Sequence, residues 1–350
     1  MATDEFYMQR CLQLAKNGMG SAFPNPLVGC VIVHQNKIIG EGFHFQPGAP
    51  HAEVNAINSV ENPELLKDST LYVNLEPCSH YGKTPPCSDL IIEKEIPNIV
   101  IGTVDPSAKV SGKGIKKLFT NGCQLNVGVL EDECEELNKR FFTFHNKNRP
   151  YVILKWAQTE SGYFAPANQQ EEKPFWISNQ YAKQLTHKYR AEEMAILVGK
   201  NTALKDNPSL TTREWSGTSP FRILIDPDLT VPDHFELLNQ KEPTIIFCRM
   251  PKANKRNIFY EGLNFDQALP PQILKTLKEY SVQSIIIEGG GNTLQQFIDS
   301  KLWDEARVFS ANLYLEKGLK APKLNVPAVD EKILTDNRLK IFYNDQDNSL

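Results

Sequence analysis

Apolar positions near the start of the chain recur at steps of three and four: Phe6, Tyr7, Cys11, Leu14 and Ala15. That period predicts an amphipathic helix, with Gly18 as its stop. The pattern then changes. "LVGCVIV", a polar turn "HQNK" and "IIGEGFH" read as a β-hairpin. A helix over 52–60 follows, then the strand "TLYVNLE", a loop, a helix from about 88, the strand "IVIGTVD" and a helix around 114–121. A last amphipathic helix is predicted over 131–145, with Leu137, Phe141 and Phe144 on one face.

The polar stretch "NKNRP" at 146–150 ends in proline and marks a boundary. Beyond it strands ("YVILKWA", "AILVG", "FRILID", "TIIFC", "SIIIEGG", "ARVFSANLYL") alternate with helices over 178–190, 270–280 and 292–301, and "LKIFY" is the last strand. Two successive α/β domains are expected, 1–146 and 147–350; 350 residues exceed the usual size of a single core.

Composition excludes more than it selects. A net charge of −4 and the lack of a basic run give no support to a nucleic-acid surface. No apolar stretch approaches the ~20 residues that span a bilayer, and "MATDEFYMQR" lacks the pattern of a secretory leader. Seven scattered cysteines suit a reducing compartment, so a cytoplasmic protein without membrane or nucleic-acid partners is expected.

The candidate chemistry lies in "PHAEVNAI" (50–57) and "EPCSHYGKTPPC" (76–87). His51, Cys78 and Cys87 suit zinc, which favours imidazole and thiolate donors. His51 and Cys87 each stand at a predicted helix start, where the helix dipole favours a thiolate. Three protein ligands leave the fourth tetrahedral position to water, the catalytic arrangement. Glu53, a carboxylate too near to be idle, is placed to move protons. An H-x-E element followed by P-C and a second cysteine is the pattern of zinc deaminases. A structural zinc site is the rival. It needs a fourth ligand, for which His80, His44 or Cys30 are available, and it has no use for Glu53. A nucleoside or nucleic-acid deaminase and a zinc-stapled binding module are the other readings. The remaining cysteines read as packed thiols.

In the second half, "SIIIEGGGNTLQQF" ends a buried strand in an acid, passes three glycines and enters a helix that Asn292 would cap. Backbone amides there can approach a phosphate closely. The spacing is not G-x-G-x-x-G, so a Rossmann fold is unsupported.

The motifs "PNPLVGCVIV", "GFHFQPGAPHAEVNAI", "LYVNLEPCSHYGKTPPC" and "DPSAKVSGKGI" resemble the deaminase half of the bifunctional deaminase/reductase family of riboflavin biosynthesis, over residues 1 to about 145. The long insert between Cys78 and Cys87 distinguishes that family from deaminases with C-x-x-C. "KWAQTESGYFAP", "FWIS" and "NTALKDNPSLTTR" resemble its reductase half, over about 149–315. The resemblance implies a cytidine-deaminase-like three-layer domain followed by a dihydrofolate-reductase-like α/β domain. It implies one zinc ion on His51, Cys78 and Cys87, with Glu53 as proton shuttle. Asn25, His44, His80 and Lys83 would hold the pyrimidine ribotide. In the reductase, Lys155 and Asp206 would be catalytic, and Arg190, Leu210, Arg213 and Glu288 would bind substrate. NADPH would meet Gln158, Trp176, Thr202, Asp206 and the run Gly290, Gly291, Asn292, Thr293, Leu294, Gln295 and Gln296. The implied reactions are hydrolytic deamination of 2,5-diamino-6-(5-phosphoribosylamino)pyrimidin-4-one, then NADPH-dependent reduction of its ribosyl chain to ribityl. A homodimer is also implied. Two segments depart from the family pattern: "TESG", where an acid is replaced by Ser161, and "ANLYLEKGLKAPKL" near the C-terminus.

Overall fold

A computed structural model describes residues 3–81, 85–107, 110–166 and 177–344. The chain divides into two compact units, Met1–Asn148 and Arg149–Leu350. The division falls inside the polar joint, two residues beyond the expected one. No helix among the described residues is long and apolar enough to cross a membrane.

The first unit runs α1 (Asp4–Ala15), β1 (Gly29–His34), β2 (Lys37–Phe43), α2 (Ala52–Asn58), β3 (Thr70–Leu75), α3 (Cys87–Glu93), β4 (Asn98–Thr103), α4 (Lys113–Thr120), β5 (Gln124–Val127), α5 (Glu131–Leu137) and α6 (Lys139–Asn146). The sheet order is β2-β1-β3-β4-β5. β1 is antiparallel to both neighbours, and β3, β4 and β5 are parallel. Alternation along the strands assigns the layers. Cys30, Ile32, Leu71, Val73, Ile99 and Ile101 pack with Ala52, Ile91 and Leu118 of α2, α3 and α4. Val31, Val33, Tyr72 and Val100 pack with Met8, Leu12 and Cys134 of α1 and α5 on the other face. The expected three-layer domain is present. A side chain at Gly42 is excluded, because its Cβ would lie 2.5 Å from Ala56 N and 2.6 Å from Ala52 O. α2 therefore lies directly on β2.

The expected single helix over 131–145 is two helices. Asn138 breaks it: the buried amide turns inward, accepting Leu27 N at 2.8 Å and donating to Leu27 O at 2.9 Å. An asparagine side chain that finds backbone partners competes with helix continuation. The helix predicted over 52–60 ends at Asn58, and the short strand β5 was not anticipated.

The second unit runs β6 (Tyr151–Thr159), β7 (Tyr163–Pro166), α7 (Gln180–Glu192), β8 (Ala195–Gly199), α8 (Lys200–Asp206), β9 (Phe221–Ile225), β10 (Thr244–Cys248), β11 (Ile258–Gly262), α9 (Leu269–Glu279), β12 (Ser284–Ile287), α10 (Gly291–Asp299), β13 (Glu305–Ala311), β14 (Gly318–Lys320), β15 (Asp330–Leu334) and β16 (Asn337–Tyr343). Nine strands form one sheet, β11-β10-β9-β8-β12-β6-β13-β16-β15; β14 pairs separately with β7. Pairing is parallel from β11 to β13 and antiparallel across β16 and β15. Central strands such as "AILVG" and "SIII" are buried along almost their whole length, as parallel strands covered on both faces must be. β12 inserts between β6 and β8, so the order reverses there. In open α/β sheets such a switch point opens a crevice at the carboxyl ends of the strands.

Candidate metal centre and reductase cleft

Two helix starts and one strand end build the first site. His51 is the N-cap of α2 with extended backbone (φ −72°, ψ 166°), and its side chain makes no capping bond. The imidazole is thus left for other partners. Cys87 opens α3 after Pro86, and Cys78 follows β3 by three residues. His51, Cys78 and Cys87 bring their donor atoms within 4.8 Å of one another. Cys78 Sγ lies 3.6 Å and Cys87 Sγ 3.3 Å from His51 Nδ1. A tetrahedral zinc with Zn–N of about 2.05 Å and Zn–S of about 2.3 Å has N···S edges of about 3.6 Å, so the residues fit the ion. The Cys87 N–H donates to Cys78 Sγ at 3.3 Å. Hydrogen bonds from Cys87 and His51 overcome burial and pull the Cys78 thiol down to about 4, whereas Cys87 is pushed up by its bond to Cys78 and by burial.

Glu53 lies in the first turn of α2 and is buried. Burial, then the Cys78 charge, raise its carboxyl to about 7, and it meets the Cys87 thiol. It does not join the three donors. The rivals for a fourth position are engaged or remote. His44 Nδ1 donates to Pro50 O at 3.1 Å, which leaves Nε2 to accept from Asn25 Nδ2 at 2.9 Å. The His44 ring packs edge-on to that of His51, 5.3 Å between centroids. Cys30 is buried in the strand core. His80 is exposed, and Lys83 lies outside the described residues. Asn25 and His44 are therefore brought to the centre, and His80 is not among its close neighbours.

Two supports escaped the sequence reading. Glu76, buried at the end of β3, accepts four backbone N–H groups: Gly112 at 2.9 Å, Gly114 at 2.8 Å, Ile115 at 3.2 Å and Asp105 at 3.3 Å. Asn74 accepts Gly29 N at 2.8 Å and donates to Leu27 O at 3.0 Å. With Asn138 it clamps the backbone two residues beyond Asn25. A polar residue inside an otherwise apolar strand is the signal that could have revealed Asn74.

The second unit holds a cleft of about 1850 Å³ at the carboxyl ends of β6, β8 and β12. Lys155, Arg190, Thr202, Asp206, Leu210, Arg213, Glu288, Gly290, Gly291, Asn292, Thr293 and Gln296 line it. Glu288 is its hub: Oε1 meets Lys155 Nζ at 2.5 Å and Oε2 meets Arg190 Nη2 at 2.7 Å. Burial alone would raise this carboxyl, but the charges and hydrogen bonds of Arg190 and Lys155 hold it at about 2. Arg190 Nε is buried without a hydrogen-bond partner among the described residues. Arg213 folds onto its own loop, meeting Ser209 Oγ and, at 2.9 Å, Thr211 Oγ1. Leu210 turns that loop with φ of 54°.

Several positions differ from expectation. Asp206, within the turn-rich stretch "KDNPSLTTR", is the last residue of helix α8, and burial raises its carboxyl. Asn292 is not the cap of α10; Gly290 is, and its N–H donates to Thr202 Oγ1 at 2.9 Å. Leu294 is buried in the core, and Gln295 points outward to Asp299 at 2.7 Å. Gln158 is not on the cleft wall: it lies an odd number of residues from Lys155 on β6 and accepts from Trp156 Nε1 at 2.8 Å. Trp176 lies outside the described residues. Ser161 ties the two departing segments together, its hydroxyl bonded to both N and O of Leu315 at 3.0 Å. Lys183, Thr186 and His187 line the cleft and were missed. They share a face of α7 with Arg190, a polar i, i+3, i+4, i+7 stripe where an apolar one is usual.

Fold and sites together place the chain in the class of two-domain enzymes that join a deaminase with a zinc-binding region to an α/β reductase. The profile of the cytidine and deoxycytidylate deaminase zinc-binding region matches residues 1–103, and that of the RibD C-terminal domain matches residues 150–317. The riboflavin biosynthesis protein RibD of Aquifex aeolicus is 40% identical over 340 residues, 94% of this chain and 93% of that protein. RibD of Bacillus amyloliquefaciens is 38% identical over 92% of this chain and 87% of its own length. The chain belongs to the RibD family of riboflavin biosynthesis proteins. A solved diaminohydroxyphosphoribosylaminopyrimidine deaminase/5-amino-6-(5-phosphoribosylamino)uracil reductase from Thermotoga maritima superposes with a TM-score of 0.88. It is 35% identical, over 97% of this chain and 98% of that one.

Proposed function

We propose that this protein catalyses two consecutive steps of riboflavin biosynthesis. Residues 1–146 deaminate 2,5-diamino-6-(5-phosphoribosylamino)pyrimidin-4-one, and residues 147–350 reduce the ribosyl chain of the product to ribityl. The observation that carries the reading is the pair of N···S separations, 3.3 and 3.6 Å, beside a buried glutamate that is not a ligand. His51, Cys78 and Cys87 hold one zinc ion, and the cleft around Gly290 and Gly291 holds NADPH. When bound, zinc acidifies water and NADPH supplies hydride.

The chain's own residues do the rest. The Glu53 carboxylate takes a proton from the attacking water and returns it to the pyrimidine, so that the exocyclic amine leaves as ammonia. Asn25 and His44, locked in one tautomeric arrangement, present fixed polar edges to the ring. His80 and Lys83 belong to the same insert, and their assignment to the ribose phosphate rests on the chemistry of an imidazole and an ammonium. In the reductase, Lys155 is oriented by Glu288 and supplies the proton that the opened sugar requires as C1′ is reduced. Asp206 stands across the cleft at the end of α8. Arg190 and Arg213 hold the substrate phosphate, which the unpartnered Arg190 Nε supports. Leu210 shapes the sugar pocket. Thr202, Asn292, Thr293 and Gln296, which line the cleft, flank the cofactor. The reading includes a homodimer in a reducing cytoplasm, which the seven free cysteines favour.

The direct test is zinc content per chain together with NADPH consumption after addition of the diaminopyrimidine ribotide. A protein that binds zinc but neither releases ammonia nor consumes NADPH contradicts the assignment. A chain ending at Asn148 is expected to deaminate without NADPH, and one starting at Arg149 to reduce only the deaminated ribotide. Soluble fragments that regain activity only on mixing would contradict the division. Arg213→Lys is expected to raise the Michaelis constant for ribotide with little change for NADPH, because an ammonium cannot reproduce the planar fork. Weakened NADPH with unchanged ribotide would exchange the two sites.

A further inference from the structure

His187 is the most deeply buried member of the polar stripe on α7, 2% exposed, yet it reaches the cleft wall. Its Nδ1 accepts the backbone N–H of Arg213 at 3.1 Å. A ring nitrogen accepts only when unprotonated, so the proton resides on Nε2. The surroundings enforce this. Burial first, then the charges of Arg190 and Arg213, lower the imidazole to about 4, with Lys183 adding to the effect and Glu214 opposing it. The ring therefore stays neutral, and the bond to Arg213 persists, across the neutral range.

The loop that His187 holds has reason to need holding. Asn207 and Leu210 both adopt left-handed backbone, φ 38° and 54°. Non-glycine residues in that region persist where surrounding contacts fix them. At its far end Thr212 N donates to Ser219 Oγ at 3.2 Å. α7 holds the loop at three points: Arg190 Nη1 donates to Thr211 O at 3.4 Å, Lys183 pairs with Glu214 at 2.5 Å, and between them His187 holds the Arg213 backbone itself.

We propose that His187 is a positioning residue for the reductase: it fixes the Arg213 backbone to α7, so that Arg213 and Arg190 are presented together to the phosphate of the ribotide. This rests on the reading of the cleft as the reductase site.

Three substitutions in the full chain test it: His187→Leu, which removes the acceptor; His187→Asn, whose Oδ1 can occupy the place of Nδ1; and Arg213→Ala. His187→Leu is expected to raise the ribotide Michaelis constant about tenfold, the equivalent of one lost hydrogen bond. The NADPH constant and turnover should stay within about twofold. His187→Asn should recover most of the loss, and His187→Leu should add little in the Arg213→Ala background, as expected for residues acting as one unit. If Arg213→Ala raises the ribotide constant and His187→Leu does not, the positioning role is wrong while the cleft assignment stands. If Arg213→Ala leaves the ribotide constant unchanged, the cleft assignment fails, and the proposal with it. Equal damage by Leu and Asn to both constants and to turnover would make His187 a packing residue and overturn the proposal. Should His187→Leu fail to fold, the comparison of Asn with Gln decides: Asn near wild type and Gln weakened for ribotide supports positioning, and the reverse order overturns it.

Discussion

Glu53→Gln is expected to bind zinc at the wild-type level and to deaminate about two to four orders of magnitude more slowly, the usual loss for a general acid–base group. Glu53 is buried beside His51, Cys78 and Cys87 but is not one of the three clustered donors. The substitution keeps the side-chain shape and the opening turn of α2, and removes only the ability to carry a proton. Reduction of the already deaminated ribotide should be unaffected, which provides an internal control for folding. Metal analysis and ammonia release on the same sample decide the matter. Deamination at the wild-type rate would remove Glu53 from the mechanism. Loss of zinc in parallel with activity would make it a ligand. His51→Ala and Cys87→Ala should show the opposite split, with zinc occupancy falling first, because each removes one of three donors. Full zinc retention in Cys87→Ala would move that ligand position elsewhere.

The metal centre was legible in the sequence because each of its parts is local. His51 and Glu53 share the first turn of one helix, and Cys87 opens another after two prolines. Only the mutual approach of these segments had to be inferred, and the glycines of β2 permit it through the close seat of α2. The strands were legible for a similar reason: alternation such as Val31–Ile32–Val33 reports two buried faces directly.

Features set by distant partners were not legible. The helix break at Asn138 depends on Leu27, 111 positions away. The edge strands β5 and β15 are largely exposed: β5 is four residues with only Leu125 partly buried, and β15 carries no apolar alternation. α8 has Ala203 as its single buried residue, so it lacks the stripe that marks a helix. The stripe on α7 is present but polar, because that face borders a cleft and not a core. The resemblance implies the run 290–296 as a continuous segment, whereas a helix turns about 100° per residue and offers one face to a ligand. Leu294 and Gln295 fall on the other sides.

Glu288→Ala is expected to lower reduction about a hundredfold, the scale of loss when catalytic groups are displaced by about 1 Å, and to destabilise the second unit by about 3–5 kcal/mol, as when a buried ion pair loses one partner. Both effects have one origin. Lys155 and Arg190 side chains are 13% and 12% exposed, and the Glu288 carboxylate between them pairs with both. Without it two cations face each other in a nearly dry site, and Lys155 has no fixed direction toward the sugar. Glu288→Gln separates charge from shape: it retains one acceptor but brings no negative charge to the two cations, so turnover should fall while the fold is partly spared. Acid titration supplies an independent check. The folded carboxyl lies at about 2, below the 4.5 of an unperturbed glutamate, so its stabilisation is complete above about pH 4.5 and is lost as pH falls through about 2. The interval corresponds to about 3 kcal/mol. The urea midpoint of the wild-type second unit should therefore drop more steeply between about pH 5 and pH 2.5 than that of Glu288→Gln. Equal slopes, with turnover of Glu288→Gln close to wild type, would mean that Lys155 and Arg190 are held by other groups and that Glu288 is not the hub of the site.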